Sequence, residues 1–300
     1  MVRLLFILTA MAFALTAQAF SAQRTILDLP YTADPAADAN QKLNLVIPEG
    51  EGSHPLFIWI GGGAWSYVDR NMEMDLAEKL SRYGIAVASV GHRLSSAVWQ
   101  DPELTEGVQH PAHISDIAAA VAWLIDNASN YDLNADHIVI GGFSSGAHLA
   151  ALLAADPQYL EAHGLTLERL SGVVAIGGTY DIRDYHRAFR EGSRPALATE
   201  HVEAVFGSTE EAMQSASPAL FAETFETSML LISDANTYNY TRIFEDALVD
   251  AEHTELAVVH VRHLGHGPLW QHLSHAEQSS YREQMASFIT DGLPAPQPAP

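Results

Sequence analysis

The run that most constrains this chain is Ile138-Val139-Ile140-Gly141-Gly142-Phe143-Ser144-Ser145-Gly146-Ala147-His148-Leu149-Ala150. Its opening residues Ile138, Val139 and Ile140 are branched and apolar, the pattern of a strand buried on both faces of a parallel sheet. From Ala147 to Ala155 the chain is rich in alanine and leucine, which favour helix. Between strand and helix lies Gly142-Phe143-Ser144-Ser145-Gly146, which fits G-x-S-x-G. In that motif the chain turns sharply and holds one serine on a strained corner, its hydroxyl exposed above the sheet. The flanking glycines matter because a Cβ there would collide with the neighbouring strand and helix. Ser144 is therefore a candidate nucleophile, and the N–H of Ser145 points to where an oxyanion would form. The competing reading is a glycine-bordered turn with an incidental serine, and the strand before it and helix after it count against that.

The chain has 300 residues and is 48% hydrophobic, which is enough for a sizeable core. Met1 to Ala19 reads as a signal peptide, with Arg3 at its start, an apolar stretch from Leu4 to Leu15, and an A-x-A site at Ala17-Gln18-Ala19. That stretch is short for a spanning helix, and an uncleaved anchor is the alternative. The expectation is an exported protein, periplasmic or extracellular, whose mature chain starts near Phe20 and forms one α/β domain over residues 20–293. Residues 294–300 are a proline-rich tail expected to be disordered. There is no cysteine, so neither a disulfide framework nor thiol chemistry is available. A net charge of −22 argues against nucleic acid and against anionic membranes as partners. The acids are scattered, which fits a solvated shell better than a cation site, and the 15 histidines include no H-E-x-x-H spacing. No cofactor and no metal is implied.

Along the chain, Thr25 to Leu29 and Leu43 to Ile47 alternate apolar and polar residues and read as partly exposed strands. Leu56 to Ile60 is a continuous apolar run, a buried central strand, and it ends in Gly61-Gly62-Gly63-Ala64-Trp65. Asp69 to Tyr83 has helical spacing with Met72, Leu76, Ala77 and Leu80 on one face. Ile85 to Val90, Gly172 to Ile176, Met229 to Ser233 and Leu256 to Val261 read as further strands. His113 to Ala128, Tyr240 to Ala251 and Leu269 to Ile289 read as helices. Tyr180 to Ala216 is polar and poorly periodic, with a helix over Ala196 to Phe206, and is read as a cap-like insertion over the sheet's carboxyl end. Strands alternating with helices imply a mostly parallel central sheet with helices on both faces.

A serine nucleophile needs a base, and the base needs an orienting acid. With a G-x-S-x-G turn, the acid and then the histidine follow downstream. His266 lies in Leu264-Gly265-His266-Gly267-Pro268, after the last strand, where an imidazole reaches the sheet edge; His263 is its rival. His148 sits one turn into the helix after Ser144 and should face away. Asp234 follows the strand Met229 to Ser233 directly and is the candidate acid, since the amide of Asn236 carries no charge. The glycines after Ile60 supply backbone able to approach a substrate closely, as an oxyanion hole requires.

Taken together, Trp59-Ile60-Gly61-Gly62-Gly63-Ala64-Trp65, Gly141 to Ala150 and Gly265-His266-Gly267 resemble the carboxylesterase and arylformamidase (kynurenine formamidase) branch of the α/β-hydrolases, akin to the hormone-sensitive-lipase esterases. Asp156 to Leu160, Gly177 to Asp181 and Ala216-Ser217-Pro218 also resemble that branch, so the likeness runs from about Leu43 to Phe288. The resemblance implies the α/β-hydrolase fold, a Ser144–Asp234–His266 triad, an oxyanion hole from the amides of Gly63, Ala64 and Ser145, and Arg93–Asp116 as a structural ion pair. One departure stands out: Gly61 occupies the place of the usual loop-propping histidine, which implies a looser hole. The expected activity is hydrolysis of small-molecule carboxylic esters through an acyl-enzyme. Arylformamidase action on N-formylkynurenine is the alternative, although export argues against it. A non-catalytic binding protein of this fold is a rival of another class, favoured only by Gly61. A membrane-acting lipase would need an apolar lid, and Tyr180 to Ala216 is too charged for one.

Overall fold

The computed structural model describes residues 23–34 and 36–293, so the expected signal peptide and proline-rich tail lie outside the described residues. Eight strands form one sheet: β1 (Gln23–Pro30), β2 (Lys42–Pro48), β3 (His54–Ile60), β4 (Ala86–Val90), β5 (Leu133–Phe143), β6 (Gly172–Ile176), β7 (Met229–Ser233) and β8 (Leu256–His260). Their order is β1-β2-β4-β3-β5-β6-β7-β8. β2 runs antiparallel to both of its neighbours, and every pairing from β4 to β8 is parallel. Helices cover both faces, as parallel strands require for their crossovers.

The continuous apolar runs follow from that covering. Along β3, Leu56, Ile58 and Ile60 face a core shared with the helices Ala112–Asp126 and Ser145–Ala155. Phe57 and Trp59 point the other way, into a core shared with Met74–Ser81, His266–Ser274 and Ser280–Asp291. Side chains alternate with period two, so a strand wet on neither face must be apolar throughout.

Several expectations are corrected. β2 is buried along nearly its whole length rather than partly exposed, because it is paired on both edges and covered. Arg70–Glu73 is a 3₁₀ turn and the α-helix begins only at Met74. The tighter turn shifts the phase, and Met72 is 58% exposed instead of facing inward. The last helix is two, His266–Ser274 and Ser280–Asp291, separated where the Ser279 hydroxyl accepts the N–H of Arg282 as an N-cap. The segment expected to be irregular contains a helix, Ile182–Glu191, capped by Asp181. Tyr185 and Phe189 share one face of it at i, i+4, and both line the site described next.

The Arg93–Asp116 pair is present: the Asp116 carboxylate is buried and takes the backbone N–H of Arg93 at 2.9 Å and its guanidinium at 2.7 Å. No described helix is long and apolar enough to cross a membrane.

Candidate active site

Every candidate site residue sits just past the carboxyl end of a strand, or on the helix that leaves one. Ser144 follows β5 directly, with φ 56° and ψ −117°, a left-handed position that a serine rarely adopts. Its backbone is held from both directions, the N–H by Ile176 O at 2.8 Å and the carbonyl by the N–H of His148 at 3.2 Å. The turn closes only because position 146 is glycine: a Cβ there would lie 2.0 Å from the carbonyl oxygen of Ile60. That contact seats the start of helix Ser145–Ala155 on the end of β3. The loop after β3 passes close by, and a Cβ on Gly62 would come within 3.3 Å of Ser144 Cβ.

Asp234 follows β7 and is fully buried. Its Oδ1 accepts the N–H groups of Asn236 at 2.8 Å and Thr237 at 3.0 Å, an Asx turn that fixes the carboxylate's orientation. Oδ2 is 2.7 Å from His266 Nδ1. Burial pushes the Asp234 carboxyl up, but the hydrogen bond and charge of His266, with the N–H of Asn236, outweigh it and hold the group below the usual carboxylate range. The pair fits because residue 177 is glycine, at φ 63°; a Cβ there would meet Asp234 Oδ2 at 2.7 Å and His266 Nδ1 at 3.2 Å. With Nδ1 turned to Asp234, the ring's Nε2 is left for the cavity side. The imidazole stacks on Phe143 at 4.5 Å between centroids, which limits its rotation.

Ser144, Ser145, Ala64 and His266 all line one cavity of about 350 Å³. Gly63 lies next to Ala64 but is not among its lining residues. Ala64 and Trp65 both have positive φ, 49° and 58°, so the loop after β3 is held in a strained shape where it lines the cavity with Ser144. His263 is exposed and contacts Tyr281 rather than the cavity. His148 is buried between the Trp65 indole N–H and the carbonyl of Ala216, away from the cavity as expected, and burial lowers its pKa to about 3.

Sequence reasoning missed three things. Asn236 has a part of its own: its Oδ1 accepts the backbone N–H of His266 at 2.9 Å, pinning the start of the last loop's helix. Helix Ile182–Glu191 supplies Tyr185 and Phe189 to the cavity wall, and their i, i+4 spacing was the available signal. The third concerns Gly61. Its missing side chain leaves no gap, because a Cβ there would lie 2.7 Å from Glu73 Oε1. Glu73 is buried, takes the Trp59 indole N–H on Oε2 at 2.7 Å, and is also hydrogen-bonded by Trp270. Burial pushes its pKa up, and the indole donors only partly offset that. The expected looseness is thus replaced by a packed contact from the other side of the loop. A histidine at position 61 and Glu73 compete for one space, so Gly61→His should lower unfolding stability by about 1–3 kcal/mol, the scale of an overpacked core. Adding Glu73→Gly should recover part of the loss in urea titrations. A Gly61→His protein as stable as the parent would show that Glu73 does not hold that space.

The sheet order, the strand–turn–helix around Ser144 and the Asp234–His266 pair define an α/β-hydrolase fold of the esterase type. Solved structures agree on the fold: esterase B from Lactobacillus rhamnosis superposes with a TM-score of 0.71 at 22% identity, covering 91% of this chain and 85% of that one. A truncated carbohydrate esterase from gut microbiota gives 0.69 at 20% identity, covering 91% and 97%. The chain belongs to the BD-FAE family, whose model matches residues 43–238. Esterase LipC of Mycobacterium tuberculosis is 32% identical over 138 residues, 43% of this chain and 31% of that protein. A kynurenine formamidase of Drosophila melanogaster is 24% identical over 199 residues, 66% of this chain and 55% of that protein. The matches span about a third or less of the length of the mycobacterial esterases.

Proposed function

We propose that this protein is an exported serine hydrolase that cleaves small carboxylic esters through an acyl-enzyme. The observation that carries the reading is a buried, ionised Asp234 holding His266 Nδ1 at 2.7 Å in the same site as a serine on a left-handed strand–helix turn. His266 Nε2 takes the Ser144 hydroxyl proton as the oxygen attacks the ester carbonyl. Asp234 stabilises the imidazolium that forms, and the amides of Gly63, Ala64 and Ser145 receive the oxyanion. The imidazolium then protonates the departing alcohol. Water, deprotonated by the same histidine, releases the acid and restores Ser144. An intact set of this kind has no use in a purely binding protein, which counts against that rival.

A second reading has one specific support, the similarity to kynurenine formamidases over 66% of the chain. Hydrolysis of an N-formyl aryl amide would use the same residues. The signal-peptide pattern of Met1 to Ala19 favours the ester reading, because it sends the protein away from cytoplasmic metabolites. Protein recovered from the exported fraction of its host, beginning near Phe20, should hydrolyse p-nitrophenyl esters of graded chain length faster than N-formylkynurenine. A strong preference for the formamide, or soluble cytoplasmic protein retaining Met1 to Ala19, would overturn the corresponding part.

A further inference from the structure

The cavity beside Ser144 has a charge unlike the rest of the chain. The sequence has 37 acids against 15 lysines and arginines. No Asp or Glu lines the cavity, and its permanently charged lining side chain is Arg194. Arg194 belongs to the cap, on the stretch between Ile182–Glu191 and the π-helical turn Ala198–Glu203. Among the described residues the other arginines each meet an acid, a tyrosine or backbone carbonyls. Arg194 has no such partner; its charge is felt by the Tyr185 hydroxyl, which burial pushes up in pKa and Arg194 draws down.

Two further groups, buried in residues of the cavity wall, lack partners. The hydroxyls of Thr179 and Ser145 are buried, at 6% and 2% residue exposure, and neither makes a hydrogen bond within the chain. Both residues line the cavity. An unpaired buried hydroxyl is costly unless a ligand or water completes it. Around them stand Tyr185, Phe189 and Tyr240, with ring centroids 4.9 and 5.4 Å apart in edge-on pairs. Arg194 itself is solvent-exposed, so it lines the cavity at its open side.

We infer that the cap makes this cavity an anion-recognising substrate site: the ester it holds carries a carboxylate remote from the scissile carbonyl, and Arg194 receives that carboxylate. The guanidinium offers a planar fork suited to two oxygens. A net charge of −22 repels anions at long range, and a local cation offsets that repulsion for an anionic ester. The inference rests on the ester-hydrolase reading; the sheet supplies the chemistry and the cap the selection.

The test compares three probes on the parent enzyme, Arg194→Gln and Arg194→Lys. 4-Nitrophenyl acetate is the neutral reference. 4-Acetoxybenzoate carries the anion on the leaving group, and mono(4-nitrophenyl) adipate carries it on the acyl group. The readout is the ratio of kcat/KM for each anionic probe to that for the neutral one. With Arg194→Gln one of the two ratios should fall about two- to fivefold, mainly through KM, the scale of a lost solvent-exposed charge pair. Arg194→Lys, which keeps the charge but loses the planar fork, should restore part of it. The arm that falls shows which side of the ester carries the carboxylate. If 4-nitrophenyl acetate is cleaved and neither ratio moves, the anion site is overturned while the hydrolase reading stands. If the parent cleaves none of the three, both fall together.

Discussion

Replacing Ser144 with alanine should abolish ester hydrolysis, lowering kcat by a factor on the order of 10⁴–10⁶. Covalent labelling by an organophosphate should vanish with it. The fold should survive, because what ties residue 144 into the structure is backbone: its N–H to Ile176 and its carbonyl from His148. Alanine also has a Cβ like serine's, so the left-handed strain at φ 56° is no worse. Circular dichroism and the thermal midpoint should therefore stay near those of the parent. A purified variant that keeps a tenth of the parent's turnover would rule Ser144 out as the nucleophile.

The next largest losses are expected at the other two positions. Asp234→Asn and His266→Ala should each lower kcat by about 10²-fold or more. The asparagine keeps an oxygen for the Asx turn, but it brings no charge to stabilise imidazolium, and its amide can set the wrong tautomer. His263→Ala is the control: that ring is exposed, faces Tyr281, and its loss should cost less than about tenfold. From sequence, Asn236 is set aside as the acid because its amide carries no charge. Its hydrogen bond to the N–H of His266 makes it a positioning residue instead, and Asn236→Ala should cost about tenfold. A His263→Ala loss as deep as that of His266→Ala would mean the base has been misassigned.

How much could be read in advance depends on how local each signal is. Ile138 to Ile140 declared a strand, Ala147 to Ala155 a helix, and Gly142 to Gly146 the turn between them, since each is encoded over a few residues. Asp234 could be chosen because it directly follows an apolar strand, and His266 because it lies in a glycine-flanked loop after the last one; the structure brings them to 2.7 Å. Met72 was misplaced because a 3₁₀ turn and an α-helix are hard to separate over four residues. The break before Ser280 was hidden by apolar residues on both sides of it, although Ser279 is a good N-cap.

The amino-acid order alone determined the strand–turn–helix at Ser144, the alternation of buried strands and helices, and the chain order of serine, acid and histidine. These depend on side-chain periodicity, glycine's lack of a Cβ and the polarity of single residues. Only the tertiary structure decided what fills the space beside Gly61, which nitrogen of His266 meets Asp234, and that Arg194 lines the cavity with no acid among the lining residues. Such facts belong to pairs of residues far apart in the chain. They exist only once the sheet has packed and set which surfaces touch.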